Sequence, residues 1–255
     1  MKPFLKRPGG KSRHLKNLLP YIPTRYDTYF EPFLGGGALF FHLEPKKAVV
    51  SDIDPELINA YLWLKNEPEK LFTQLRQYEK HSCKEFYDIA RLFVPINPLD
   101  RAAHYIYIVQ SCYRGMFRVN KQGKINAAYN KRDGFIFDFE NAKKIADFLN
   151  KNDIQIVCTD YRSILKDVTS SDFVFLDPPY ADSEEKVYTA RGFDSDVFAR
   201  ELLNMDKAKI PFLACNRDTP STRKLFNNLH FDSLETTFHF SNSKTKELRI
   251  YANIS

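Results

Sequence analysis

The sequence has few of the residues that build disulfide-bonded or metal-centred proteins. Its 255 residues include only four cysteines, widely spread and without a C-x-x-C pair, and six scattered histidines without an H-E-x-x-H motif. We therefore expect reduced cysteines and no bound metal. No apolar run approaches the length of a membrane span, and the N-terminal residues lack the apolar stretch of a signal peptide. These absences predict a soluble, cytoplasmic protein of one or two domains.

Basic residues are concentrated in two segments of a chain whose net charge is +6. Residues 1–17 contain six lysines and arginines and no acid, and residues 113–133 contain six against one acid. Tyr113, Phe117 and Tyr129 interleave the second segment. Two solvated loops would show the same charge, but basic residues mixed with aromatic ones favour nucleic acid as the partner.

Strand and helix patterns alternate along the chain. Strands are predicted at 28–30, 47–52, 154–158, 173–176 and 212–215, with an antiparallel pair at 236–240 and 248–252. Helices are predicted at 38–41, from Pro55 through Trp63, in pieces up to about residue 112 with a break at Pro95 and Pro98, and over 140–150. This alternation is typical of an α/β fold with a mainly parallel sheet.

A helical and basic block interrupts the strands. We therefore expect a catalytic domain made of residues 1–55 plus 141–255, and an inserted second domain of residues 56–140. Within the insert, glycines punctuate residues 113–135, which predicts a loop or hairpin there.

The tetrapeptide Asp177-Pro178-Pro179-Tyr180 follows the apolar strand predicted at 173–176. In open α/β sheets, ligands bind at the carboxyl ends of the strands. A carboxylate, prolines without N–H groups and an aromatic face suit a flat ring that carries an amino group. A proline-rich turn that merely ends the strand would have the same sequence.

A glycine loop is the second chemical feature. Gly35, Gly36 and Gly37 follow one predicted strand, and Asp52 lies 17 residues after Gly35, at the end of the next. Such a carboxylate suits ribose hydroxyls. The loop is neither G-x-G-x-x-G nor a P-loop, which favours a cofactor with a ribose but no pyrophosphate. Asp160 ends the third strand and is a weaker candidate for contact with the adenine of the same ligand.

Together these motifs resemble the Dam-type (D12 class) DNA adenine-N6 methyltransferases. Residues 4–11 (FLKRPGGK) are similar to the family's F-L-K-W-A-G-G-K, and residues 31–37 (EPFLGGG) to its E-P-F-x-G-x-G. Residues 51–54 (SDID) resemble its A-D-I-N, and residues 113–126 its Y-N-G-x-x-R-x-N-x-x-G-x-F-N. Residues 177–180 are its D-P-P-Y. The order holds along nearly the whole chain.

The resemblance implies a Rossmann-like methyltransferase sheet of seven strands with the last antiparallel, S-adenosylmethionine as cofactor and double-stranded DNA as substrate. It implies methyl transfer to N6 of a flipped-out adenine, with a catalytic set of Asp177, Pro178, Pro179 and Tyr180. The cofactor-binding residues are expected to be Arg7, Lys11, Glu31, Phe33, Gly35, Gly36, Gly37, Asp52, Ile53, Asp160, Tyr161 and Asp177. The DNA-binding residues are expected to be Lys11, Tyr113, Arg114, Arg118, Asn120, Lys121 and Asn126.

The chain departs from the family pattern at several positions. Arg7 stands where the family has Trp, Arg114 where it has Asn, and Val109-Gln110 where it has Asn-Arg. Residues 126–129 lack the proline of N-V-P-[FY]. Most of these positions lie in the region that the family uses to read DNA, so the family's GATC target is not transferred to this chain. Arg118 is retained, and it either donates to a guanine edge or binds a phosphate.

Two other functional classes carry parts of this pattern. An RNA or protein methyltransferase can have a similar glycine loop and tetrapeptide, and a DNA-binding protein without activity can have the basic insert. The setting is equally open: a bacterial or phage-infected cell, with or without a separately encoded restriction endonuclease as partner. The sequence does not specify an oligomeric state.

Overall fold

A computed structural model of the chain describes residues 1–5, 7, 10–113, 125–130, 134–180, 193–237 and 244–254. Seven strands in these residues form one sheet: β1 (Tyr29–Glu31), β2 (Lys47–Asp52), β3 (Asp153–Cys158), β4 (Phe173–Leu176), β5 (Phe212–Arg217), β6 (His230–Thr237) and β7 (Lys244–Ala252). Their order in the sheet is β3-β2-β1-β4-β5-β7-β6.

The sheet is parallel except at its last strand in the sequence. β1 pairs in parallel with β2 and with β4, and β4 pairs in parallel with β5. β7 runs antiparallel to both of its neighbours, β5 and β6. The α/β fold with seven mostly parallel strands is therefore confirmed. All four residues of β4 are buried, as expected for a central strand that is covered on both faces.

Ten α-helices accompany the sheet in the part of the chain that the structure describes. They are α1 (Leu15–Leu18), α2 (Ala38–Leu43), α3 (Pro55–Asn66), α4 (Pro68–His81), α5 (Lys84–Ala90), α6 (Pro98–Ser111), α7 (Phe139–Lys151), α8 (Tyr161–Leu165), α9 (Ser195–Lys207) and α10 (Pro220–Leu225). The longest of these, α4 and α6, have 14 residues each, too few for the roughly 20 that a membrane span needs.

Helix starts follow the local sequence closely. The Asp54 carboxylate accepts hydrogen bonds from two backbone amides of α3, and Pro55 occupies the first helical position. The Asn97 side chain caps α6 in the same way, ahead of Pro98. The break predicted at Pro95 and Pro98 is confirmed, since α5 ends before it and α6 begins at its second proline.

The position predicted for the first strand of the C-terminal pair was wrong. The antiparallel pairing itself is confirmed, but β6 begins at His230, six residues before the predicted start at 236. β6 lies at the edge of the sheet, and its residues Asp232, Ser233 and Glu235 are exposed. An edge strand with polar residues has little of the apolar alternation that marks a strand in sequence. Residues 238–240 lie outside the described part.

The chain divides into two compact units. The first unit comprises Met1–Arg13, Gly35–Lys46 and Asp54–Cys158, and the second comprises His14–Leu34, Lys47–Ile53 and Thr159–Ser255. In the first, α6 packs against α3 and α4, and α7 packs against α3. The second holds every described strand except β3, together with α1, α8, α9 and α10. The domain boundaries expected from the sequence, 1–55 plus 141–255 and 56–140, stay a prediction.

Candidate active site

Three loops of the second unit leave the sheet at one edge. β1 lies between β2 and β4 and is parallel to both, so the carboxyl ends of the three strands meet there. Phe33 follows β1, Asp52 ends β2, and Asp177 follows β4. The structure therefore brings these three predicted site residues to the edge where open α/β sheets bind ligands.

Backbone hydrogen bonds hold two of these segments on the end of β2. The amide of Leu34 donates to the carbonyl oxygen of Ser51 over 2.8 Å, and the amide of Thr159 donates to the carbonyl oxygen of Asp52 over 3.2 Å. The hydroxyl of Ser51 also donates to the carbonyl oxygen of Pro32 at 3.4 Å. Side chains carried by these segments are thus positioned by the sheet before any ligand binds.

Phe33 belongs to an aromatic cluster of the second unit. Its ring centroid lies 5.1 Å from that of Tyr161, 5.9 Å from that of Phe193 and 6.2 Å from that of Phe198. Phe33 is half-buried, whereas Tyr161 and Phe198 are buried. Burial raises the pKa of the Tyr161 phenol to about 12, so the hydroxyl is neutral at physiological pH. Together these rings form an apolar, aromatic surface.

The Asp160 carboxylate accepts hydrogen bonds from Arg162, two residues later. The Arg162 guanidinium donates to the Asp160 carboxylate from Nε at 2.7 Å and from Nη2 at 3.0 Å, and the Arg162 amide donates at 2.9 Å. These hydrogen bonds, those of the side chain above all, lower the pKa of Asp160 below its usual value of 3.8. Asp160 therefore carries its charge at neutral pH, and a ligand at this carboxylate would share it with an exposed arginine.

Glu31 is buried at the end of β1. The Tyr29 hydroxyl donates to its carboxylate over 2.6 Å, and both side chains are almost fully enclosed. Burial, and then the charge of Glu31, raise the pKa of the Tyr29 phenol well above its usual value. The structure thus places Glu31 inside the second unit, whereas Ile53, the residue after β2, is 44% exposed.

The predicted catalytic tetrapeptide continues directly from β4. Asp177 and Tyr180 are half-buried, and Pro178 is buried. The Tyr180 hydroxyl donates to Oε2 of Glu247 over 3.0 Å, and Glu247 is only 1% exposed. The hydroxyl end of the Tyr180 ring is therefore anchored to β7.

Arg7, in the first unit, lies in a cluster with two other polar side chains. Its Nη1 donates to Oδ2 of Asp54 over 2.8 Å and also to the hydroxyl of Tyr105, which itself donates to Oδ2 of Asp54 over 3.1 Å. Arg7 stands where the resembling family has Trp, and Asp54 where its A-D-I-N has Asn. In this chain the two residues form an ion pair.

The glycine loop lies in the same unit and shows why these positions take glycine. Gly35 has a φ of +48°, and no described atom lies within 4 Å of where its Cβ would be. A Cβ on Gly36 would lie 3.2 Å from the carbonyl oxygen of Leu5, which is a close contact with backbone. Lys11, another predicted site residue, is buried in a short 3-10 turn.

Tyr113 and Asn126, two of the residues predicted to bind DNA, lie on either side of residues 114–124, which are outside the described part of the chain. The amide of Tyr113 donates to the carbonyl oxygen of Ala128 over 2.7 Å, and residues 112 and 129 form an antiparallel bridge. The Tyr87 hydroxyl supports this pairing by donating to the carbonyl oxygen of Ala127 over 3.0 Å. Tyr113 is 41% exposed, and Asn126 is exposed as well. Arg114, Arg118, Asn120 and Lys121 lie outside the described residues.

Sequence reasoning missed the partners of two site residues. Glu247 contacts the tetrapeptide from 67 residues away, and Asp54 contacts Arg7 from 47 residues away. For Glu247 a signal was available, because Glu247 and Arg249 alternate with apolar residues in a strand-like stretch. For Asp54 the sequence offers no comparable signal, because its partner Arg7 lies 47 residues away.

Known proteins resemble this chain over most of its length. A family model described as D12 class N6 adenine-specific DNA methyltransferase matches residues 8–240. The type II methyltransferase M1.LlaDCHI of Lactococcus lactis subsp. cremoris is 32% identical, over 93% of this chain and 88% of that protein. The type II methyltransferase M.MjaIII of Methanocaldococcus jannaschii is 33% identical, over 77% and 76%. The DNA adenine methylase of Haemophilus influenzae is 22% identical, over 98% and 91%.

Proposed function

Because this chain belongs to the family of D12 class N6 adenine-specific DNA methyltransferases, we propose that it methylates N6 of one adenine in a specific DNA sequence, after that adenine has been flipped out of the duplex. The family assignment made from the sequence is confirmed, and S-adenosylmethionine is the methyl donor. The placement of the tetrapeptide after β4, beside β1 and at the ligand-binding edge of the sheet, carries the proposal.

The residues at this edge fit a nucleoside-containing cofactor. When bound, S-adenosylmethionine would supply a methyl group on a positively charged sulfur; the electrons of the broken carbon–sulfur bond would stay on that sulfur, and the leaving group would be the neutral thioether S-adenosylhomocysteine. In the proposed site, the carboxylate of Asp52 accepts hydrogen bonds from ribose hydroxyls. Phe33 and Ile53 provide apolar contacts for the adenine ring, and Asp160 provides a charged acceptor near Tyr161. The cofactor contacts expected of Glu31, Arg7, Lys11 and the three glycines stay predictions from the resemblance.

In the proposal, the tetrapeptide activates the target amine as a nucleophile. The lone pair of adenine N6 is delocalised into the ring, so the amine is a poor nucleophile. We assign to the Asp177 carboxylate and the Pro178 carbonyl the two hydrogen bonds from N6, which pull the lone pair out of conjugation and orient it. The Asp177 carboxylate then takes up the proton that N6 loses on methylation. Orientation of this kind supplies much of the rate enhancement in group transfer.

An adenine inside a duplex cannot reach these acceptors. It must leave the stack, which costs a few kcal/mol. In the proposal, the face of the Tyr180 ring stacks on the flipped base, an interaction worth roughly 1–3 kcal/mol per base. This partly offsets the stacking that the base loses in DNA.

The biological setting follows the relatives with the higher identity. Three relatives that are 32% or 33% identical carry the name type II methyltransferase, whereas the DNA adenine methylase of Haemophilus influenzae is 22% identical. We therefore propose a cytoplasmic enzyme with a separately encoded restriction endonuclease that cuts the same, unmethylated, sequence. Cells that express the methyltransferase would then resist cleavage by that endonuclease.

Labelled methyl transfer tests the proposed function. The purified chain is incubated with methyl-labelled S-adenosylmethionine and, in separate reactions, with duplex DNA, RNA and a protein mixture. We expect label in DNA alone, as N6-methyladenine at one short sequence. Label in RNA or protein, in cytosine, or at adenines without regard to sequence would contradict the proposal. Binding of DNA without any transfer would instead support the inactive DNA-binding class.

A further inference from the structure

The buried charged residues on β7 have no role in the function proposed above. Glu247 and Arg249 alternate along the strand, so their side chains point to the same face of the sheet. They are 1% and 0% exposed, and Nη2 of Arg249 lies 3.3 Å from Oε1 of Glu247. The pair is therefore enclosed, in a strand that has neighbours on both sides.

This pair is an inefficient way to stabilise the sheet. Removing two charges from water costs free energy that their attraction often fails to return, and apolar residues of similar size commonly do better. The guanidinium is also incompletely satisfied, because Nε and Nη1 of Arg249 have no hydrogen-bond partner within the described residues. Stability alone therefore does not account for these two residues.

The carboxylate of Glu247 is shared between Arg249 and the catalytic tetrapeptide. Oε1 faces Arg249, while Oε2 accepts the hydrogen bond from the Tyr180 hydroxyl over 3.0 Å. The bond joins Tyr180, four residues beyond the end of β4, to a strand on the far side of β5. A tyrosine fixed by its backbone at one end and by its hydroxyl at the other presents its ring face in one defined direction.

We propose that Glu247, with its charge compensated by Arg249, is a positioning residue that sets the ring of Tyr180 for stacking on the flipped adenine. The proposal rests on the proposed function, because it specifies how one residue of that site is oriented. A carboxylate acceptor suits the task, since hydrogen bonds to charged groups are shorter and stronger than neutral ones. Arg249 allows that charge to be buried beneath the site.

Three variants separate positioning from stability. Tyr180→Phe removes the hydroxyl and keeps the ring. The paired replacement Glu247→Leu with Arg249→Met removes the anchor without leaving one charge buried alone. The triple variant combines all three changes. Tyr21→Phe is the matched control, because it also removes one tyrosine–carboxylate hydrogen bond, the one that the Tyr21 hydroxyl donates to Asp232 over 2.7 Å on neighbouring β6.

The target sequence is first mapped with the wild-type protein. Duplexes with 2-aminopurine in place of the target adenine then report flipping by fluorescence, alongside single-turnover methylation, cofactor affinity and melting temperature. We expect Tyr180→Phe and the paired replacement each to lower the flipping signal and the methylation rate about tenfold, the effect of losing one charge-assisted hydrogen bond. The triple variant should lose no more than either, with wild-type cofactor affinity in all variants and an unchanged or raised melting temperature in the paired and triple variants.

Three outcomes overturn the positioning role. If the paired replacement keeps wild-type flipping and rate, or if its effect multiplies with that of Tyr180→Phe, the pair does not act through the hydroxyl. A tenfold loss in Tyr21→Phe would show that any change on this face has the same effect. In each of these outcomes the wild-type protein still methylates DNA, so only the positioning role is refuted. If the wild-type protein transferred no methyl group to DNA, the proposed function and this proposal would be refuted together.

Discussion

Replacing Arg7 with alanine should destabilise the first compact unit by breaking a largely enclosed ion pair. The side chains of Arg7 and Asp54 are 7% and 16% exposed, and their charged atoms lie 2.8 Å apart. The Tyr105 hydroxyl contacts both of them. Asp54 also caps α3, so the ion pair fixes the N-terminal segment to the start of that helix.

The expected cost is about 2–3 kcal/mol in the free energy of unfolding. Removing one partner of a fully buried pair costs roughly 3–5 kcal/mol, and the partial exposure of Asp54 and its remaining hydrogen bonds reduce this figure. Asp54→Asn should cost about 2 kcal/mol, because asparagine caps a helix as well as aspartate does but removes the negative charge that Asp54 places 2.8 Å from Arg7. The family-like combination Arg7→Trp with Asp54→Asn should cost about 1–2 kcal/mol less than the sum of its single changes.

Urea unfolding measures this coupling. The proteins compared are the wild type, the single variants Arg7→Ala, Arg7→Trp and Asp54→Asn, and the double variants that combine Asp54→Asn with each change at Arg7. Lys70→Ala is a suitable control, since Lys70 pairs with Glu67 at 3.1 Å on the surface of the same unit with its side chain 61% exposed. That pair should contribute less than about 1 kcal/mol. Additive effects at Arg7 and Asp54, or a cost at Arg7 no larger than at Lys70, would refute the ion-pair interpretation.

Three further predictions concern single residues. In Arg162→Ala the pKa of Asp160 should rise towards 3.8, as followed by NMR titration. Wild-type Asp160 contributes stability above pH 3.8 and loses it as the pH falls below that value, and this contribution should disappear in the variant. An unchanged pKa would contradict the role of Arg162. Gly35→Ala should lower stability by about 1 kcal/mol because of its positive φ, and weaken cofactor binding measured by calorimetry, whereas unchanged affinity would separate the loop from the cofactor. Tyr87→Phe removes the hydrogen bond to the carbonyl of Ala127 and should raise KM for DNA several-fold with little change in kcat. Equal KM values would show that the pairing of Tyr113 with Ala128 does not affect DNA binding.

Most of the sheet could be predicted because its strands carry local signals. β4 is a continuous apolar run. β2 ends at the carboxylate of Asp52, and three residues later Pro55 starts α3. Such patterns reflect burial on both faces and helix capping, which act within a few residues. The start of β6 could not be predicted, because an edge strand with Asp232 and Glu235 exposed is held by its pairing with β7 and not by its own apolar pattern.

The candidate site divides in the same way. The tetrapeptide and Asp52 could be found because each directly follows a recognisable strand, and the parallel sheet then brings them to one edge. The anchoring of Tyr180 by Glu247 could not be found, since it depends on β5 and β7 pairing in one register. The role of Arg7 was equally hidden, because its partner lies in a helix cap 47 residues away. Local patterns identify reactive groups, whereas tertiary structure determines what orients them.

The most direct test of the account is methyl transfer by Asp177→Ala. With mapped target DNA and labelled S-adenosylmethionine, we expect single-turnover transfer to fall by about 10²–10⁴-fold, because N6 loses the acceptor that localises its lone pair and takes its proton. Cofactor affinity, measured by calorimetry on the same preparation, should fall far less than the transfer rate. Transfer at the wild-type rate would contradict the central claim that the tetrapeptide holds adenine N6 for methylation.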